Sequence, residues 1–104
     1  IFSTVIIDEA AQAPEPEIVL TALKAEERLV LVGDFMQLGP TVKENNVCRA
    51  YLSILKVPLL ERIQRTPELL PKGAHTKLIQ QYRMHPSIAH YPNKRFYGDA
   101  LVNA

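Results

Sequence analysis

Asp8 and Glu9 stand side by side directly after the aliphatic run Val5-Ile6-Ile7. A hard ion such as Mg²⁺ takes carboxylate and water oxygens, so Asp8 can hold one directly or through water. Glu9 beside it can orient and deprotonate an attacking water. The plain alternative is a strand that sheds two charges where it leaves the core, and an acidic pair alone matches many unrelated sequences. A second group lies in VGDFMQLGP, residues 32–40. There the neutral amide of Gln37, three residues after Asp34, can hydrogen-bond a terminal phosphate or the attacking water. The alternative is a tight turn whose polar side chains serve only the local backbone. A third group is QQYRMHP, residues 80–86. Tyr82 offers a flat face for a base and Arg83 a planar fork for phosphate oxygens. Carried on a separate lobe, such an arginine acts as a finger only when two lobes close. The alternative is a strand end with a core tyrosine and a solvated arginine. His75, His85 and His90 have no zinc-ligand spacing, and Met84 reads as packing.

The elements that must position these residues follow from hydrophobic patterning. Residues 2–7 are aliphatic and β-branched with little alternation, the pattern of a parallel strand buried on both faces. Pro14 and Pro16 mark a helix start, with Glu15 and Glu17 suited to the positive end of its dipole, and the helix extends to about Lys24. Residues 28–32, RLVLV, form a second buried strand that Gly33-Asp34 stops. Strand, helix and strand in that order favour a parallel pair and an α/β class. Both strands then point their carboxyl ends the same way, which sets Asp8-Glu9 and Gly33-Asp34 on one rim of the sheet. In open α/β folds that rim binds ligands. Further on, Asn45 and Asn46 are candidate caps for a helix running to Leu55, and residues 59–64 form another helical segment after Pro58. Residues 66–76, with Pro67, Pro71 and Gly73, read as a loop. Residues 77–81 form a third strand, and Pro86 opens a helix to about Phe96 that Pro92 is expected to break and Gly98 to end. There are no repeats and no low-complexity tract.

Composition narrows the function classes without choosing one. The chain has 104 residues, 47% hydrophobic and 22% charged, with a net charge of +1. It is globular in composition, of a size for one domain or less. The near-zero charge gives no global pull toward nucleic acid or membrane, though it leaves room for a local basic groove. With Cys48 as its one cysteine it has no internal disulfide, as a protein of a reducing intracellular compartment, cytoplasm or nucleus, would not. No stretch approaches the ~20 apolar residues of a membrane span. The apolar start lacks a basic segment and a small-residue cleavage site, so it does not read as a signal peptide. With no initiator methionine and a start inside a hydrophobic strand, the chain reads as a fragment of something longer.

Taken together, VIIDEAAQAPEPE, LVLVGDFMQLGP, LLERI and QYRMHPSIAHYPNKRFYGDAL resemble the superfamily one helicases of the up-frameshift and senataxin type. The resemblance covers nearly the whole chain, and the joint pattern is far more specific than any acidic pair. DEAD-box helicases share the pair but carry Ser-Ala-Thr where this chain has Gly33-Asp34 and Gln37. The resemblance implies an α/β, RecA-like P-loop NTPase fold. Residues 1–64 would end the first RecA-like domain, 65–76 would be a linker, and 77–104 would begin the second, with ATP between the two. It further implies that Asp8 and Glu9 are the motif II, or DEAA-box, pair, metal ligand and catalytic base. Gln37 would be the motif III glutamine near the γ-phosphate, supported by Asp34, and Gln12 would support motif II. Tyr82 would pack near the adenine and Arg83 would reach the γ-phosphate as the motif IV arginine. Pro40 and Thr41 would lie close to a nucleic-acid strand. The implied cofactors are ATP and Mg²⁺, the implied partner is single-stranded RNA or DNA, and no membrane is involved. The sequence departs from the family pattern at Phe35-Met36 and in YLSILKVPLLERI. It contains no GxxxxGK[ST], so these residues alone are not expected to hydrolyse ATP. Two further classes stay open: a catalytically dead nucleic-acid-binding relative, and an ATPase that separates no strands.

Overall fold

A computed structural model describes residues 1–43 and 48–104. The chain divides into two compact units, Ile1–Leu70 and Pro71–Ala104.

In the first unit, β1 (Phe2–Ile7) is followed by α1 (Glu15–Ala22) and β2 (Ala25–Leu31). The strands pair in parallel, with Thr4 opposite Arg28 and Ile7 opposite Leu31, after one irregularity between Phe2 and Thr4. β2 begins three residues earlier than its aliphatic core suggests, because Phe2 also pairs with Ala25. α1 starts as expected: Pro14 is its extended N-cap, Pro16 lies in the first turn, and Glu15 and Glu17 face the dipole's positive end. The helix packs on both strands and buries Ile18, which is 2% exposed. α2 (Arg49–Leu55) and α3 (Leu59–Arg65) follow, then a 3₁₀ turn at Pro67–Leu69. The proposed caps Asn45 and Asn46 lie outside the described residues.

The strands are not buried on both faces, as their composition suggested. Phe2 is 62% and Ile6 67% exposed. Among the described residues each strand has one hydrogen-bonded neighbour, and α1 is the helix packed on the pair, so a composition suited to a sheet interior meets solvent instead.

In the second unit, β3 is only Gln80–Gln81 rather than 77–81, and it pairs in parallel with β4 (Val102–Asn103). The pairing explains the shortness, since β4 supplies just two partners. Between them α4 runs unbroken from Pro86 to Phe96 with Pro92 inside it. The expected break at Pro92 does not occur. Proline forfeits the bond to the carbonyl four residues back, but the following residue anchors the helix. Asn93 donates through Nδ2 to Leu101 O (3.0 Å) and accepts at Oδ1 from Leu101 N–H (2.9 Å). Its carbonyl also accepts from Tyr97 and Asp99 N–H. The Tyr97 bond closes the helix, and the other three tie the end of α4 to the segment entering β4. Gly98, at φ +58°, turns the chain there as expected.

Candidate functional site

The parallel pairing sets the two acidic loops of the first unit side by side. Val32 N–H donates to Ile7 O and Ala10 N–H donates to Val32 O, both at 2.9 Å, so the ladder continues one step past the strands into the loops. Gly33 is where they touch. A Cβ there would lie 3.0 Å from Ala11 N, 3.1 Å from Ala10 N and 3.2 Å from the Leu60 side chain. Only a residue without a side chain lets this approach occur. Ala10 and Ala11 are 1% and 0% exposed, so the joint between the loops is packed, while Asp8 and Glu9 stand exposed above it.

Within the first loop, Asp8 Oδ1 accepts from Glu9 N–H at 2.9 Å. Glu9 has φ +51°, a left-handed conformation uncommon for a residue with a side chain. Gln12 holds it twice: its N–H donates to Glu9 O at 2.9 Å, and its Nε2 donates to Glu9 Oε2 at 3.2 Å. The backbone strain and the Gln12 contacts together aim the Glu9 carboxylate. In the second loop Asp34 does the organising. Its Oδ1 accepts from Met36 N–H at 3.0 Å, and its Oδ2 accepts from Gln37 Nε2 at 2.9 Å. Gln37 N–H also donates to Asp34 O. The Gln37 amide is thereby oriented with its nitrogen toward Asp34 and its oxygen, the acceptor that the positioning of a water requires, turned away from that carboxylate. Pro40 is half-buried and Thr41 exposed in the irregular segment that leaves this loop.

The donor set suits Mg²⁺ better than a protein-only metal cage. Among the described residues no three His, Cys, Asp or Glu side chains gather as ligands. Mg²⁺ is commonly held by one or two carboxylates and completed by water and phosphate oxygens, and the exposed Asp8 and Glu9 carboxylates fit that role.

Tyr82 and Arg83 belong to the second unit, in the turn between β3 and α4. Both are exposed, Tyr82 at 78%. The turn is built on Gln81, which the sequence did not single out. Gln81 Oε1 accepts from Arg83 N–H (3.1 Å) and Met84 N–H (2.8 Å). Its Nε2 donates to Met84 O and to Asn103 Oδ1, each at 2.8 Å. Strand alternation was the available signal: adjacent strand residues face opposite ways, so one glutamine of the pair had to turn inward. His85 caps α4, its side chain accepting from Ser87 N–H.

Two family models, each described as an AAA domain, match residues 1–45 and 55–104. The chain is 39% identical over 102 residues to ATP-dependent helicase upf1 of Schizosaccharomyces pombe, which covers 98% of this chain and 10% of that protein. It is 42% identical over 111 residues to putative helicase mov-10-B.1 of Danio rerio, covering 96% of this chain and 11% of the relative. It is 41% identical over 100 residues to helicase sen1 of Schizosaccharomyces pombe, covering 96% of this chain and 6% of the relative. The chain belongs to the up-frameshift/senataxin-like superfamily one helicases. Its parallel strand pairs and crossover helices are of that family's RecA-like α/β class. As a member of the family it spans about a tenth of the length of the first two relatives. The second family model begins at residue 55, inside α2, and so runs across the boundary between the two units. No helix of the described residues is long and apolar enough to cross a membrane.

Proposed function

We propose that the full-length protein carrying this chain is an ATP-dependent helicase or translocase that couples Mg-ATP hydrolysis to movement on single-stranded RNA or DNA inside the cell. The observation that carries the reading is the Gly33 contact: it joins an Asp8-Glu9 loop and an Asp34-Gln37 loop on one rim of a parallel pair. In this reading Asp8 holds Mg²⁺, which supplies charge neutralisation on the phosphates when bound. Glu9, aimed by Gln12, accepts the proton of the attacking water. Gln37, fixed by Asp34, hydrogen-bonds that water or the terminal phosphate. Tyr82 packs near the adenine, and Arg83 reaches the γ-phosphate when two RecA-like lobes close. Residues 1–64 end the first lobe, 65–76 link, and 77–104 begin the second. Pro40 and Thr41 lie near the strand that the lobes ratchet.

The test is ATP hydrolysis by the full-length protein with and without single-stranded RNA or DNA, beside a duplex-unwinding assay. Strand-stimulated hydrolysis is expected. Hydrolysis indifferent to either strand would point to a different kind of ATPase. Nucleic-acid binding without hydrolysis would point to a dead helicase relative.

A further inference from the structure

Gln81 is a side chain whose hydrogen-bonding capacity is fully used and whose bonds converge on one exposed residue's turn. Both amide hydrogens have acceptors, Met84 O and Asn103 Oδ1, and the amide oxygen has two donors, Arg83 N–H and Met84 N–H. The backbone of Gln81 is fixed as well, since its carbonyl accepts from Ala104 N–H at 3.1 Å within the β3–β4 pairing. The amide orientation is unambiguous, because its oxygen faces two N–H groups and its nitrogen faces two oxygens. Such an arrangement transmits the rigidity of a strand pair into a turn that has no strand partner of its own. Tyr82 and Arg83 are exposed and extend from that turn. Without the amide, the Arg83 and Met84 N–H groups and the Met84 carbonyl lose their partner, and the origin of the Arg83 side chain becomes free to wander. A long side chain amplifies a shift of its own backbone, and misplacement by about 1 Å costs roughly 10²-fold in rate.

We propose that Gln81 is a positioning residue for Arg83: its side-chain amide bridges Asn103 on β4 to the Arg83-Met84 backbone and so sets where the guanidinium can reach. The proposal rests on the reading of Arg83 as a ligand of the nucleotide's terminal phosphate. Gln81 itself touches no substrate in this scheme and acts through Arg83.

The experiment is a double-mutant cycle in the full-length protein, with strand-stimulated ATP hydrolysis measured for wild type, Gln81→Ala, Arg83→Ala and the double variant. Gln81→Ala is expected to lower kcat by about tenfold while KM for ATP stays within about twofold. In the Arg83→Ala background the same substitution is expected to cost nothing more, because the group it positions is gone. Asn103→Ala removes only one of the four bonds, from an exposed strand end, and keeps the test valid should Gln81→Ala unfold. It is expected to give a smaller loss, about twofold, that also vanishes with Arg83→Ala. Equal losses in both backgrounds would overturn the proposal, since Gln81 would then serve stability alone. So would an unchanged kcat in Gln81→Ala and Asn103→Ala beside a slow Arg83→Ala enzyme. If Arg83→Ala itself hydrolyses ATP at the wild-type rate, the phosphate role of Arg83 falls and the positioning role with it.

Discussion

Gly33→Ala should loosen the joint between the two acidic loops. The added methyl would lie 3.0 and 3.1 Å from the backbone nitrogens of Ala11 and Ala10, where ordinary contact begins at 3.4 Å. Relief therefore needs a displacement of up to 3.4 − 3.0 = 0.4 Å. The third neighbour, Leu60 Cδ2 at 3.2 Å, ends a flexible side chain and can give. The two nitrogens are backbone atoms of buried residues, and Ala10 N–H is also bonded to Val32 O, in the residue before Gly33, so they give less easily. Overpacking of this kind costs about 1–3 kcal/mol. A shift of a few tenths of an ångström between Asp8-Glu9 and Asp34-Gln37 should slow ATP hydrolysis by the full-length protein on the order of tenfold, as part of the roughly 10²-fold that 1 Å costs. Gly39→Ala is the control: among the described residues its Cβ would meet only Lys56 O at 3.7 Å, an ordinary contact. It should change stability by no more than about 0.5 kcal/mol. The assays are thermal denaturation and strand-stimulated hydrolysis on both variants. If Gly33→Ala matches Gly39→Ala in both, the loops are not held together by that contact and the reasoning fails.

Other perturbations have smaller, local consequences. Asn93→Ala deletes two side-chain bonds to Leu101 and should destabilise the end of α4 by about 1–3 kcal/mol, seen as faster amide exchange at Leu101 and Asp99. Removing the His85 cap with His85→Ala should cost about 1 kcal/mol, with faster exchange at Ser87 N–H. Arg62→Ala breaks the Glu15–Arg62 pair at 2.5 Å, but Arg62 is 60% exposed, so a loss under about 1 kcal/mol in a denaturant titration is expected.

The first unit was largely legible in the sequence because its signals were local and mutually consistent. Aliphatic runs marked β1 and β2, Pro14 and Pro16 marked α1, and a crossover of that length implied a parallel pair. The shared rim for Asp8-Glu9 and Gly33-Asp34 followed from topology alone. The contact at Gly33 was not legible, since it depends on how closely two loops approach after the strands pair. The burial of the strands was misjudged because composition records the environment a strand suits, whereas exposure depends on what packs against it. In the second unit the sequence signals misled for non-local reasons. Pro92 is tolerated because Asn93 reaches Leu101, eight residues on. β3 is cut to two residues by a partner, β4, that lies 22 positions away. Gln80 and Gln81 are identical in sequence, and only the pleat and the position of Asn103 single out the second.

The central claim is that Asp8 and Glu9 share one reaction as metal ligand and base. Its most direct test is Glu9→Gln in the full-length protein, with ATP affinity and strand-stimulated hydrolysis measured on the same preparation. The amide keeps the size and the contact with Gln12 but cannot take a proton from water. The account predicts that ATP binding survives within a few-fold of wild type while hydrolysis falls by about 10²–10⁴-fold. Hydrolysis at the wild-type rate in Glu9→Gln would contradict it, and the two carboxylates would then be a strand's exit into solvent.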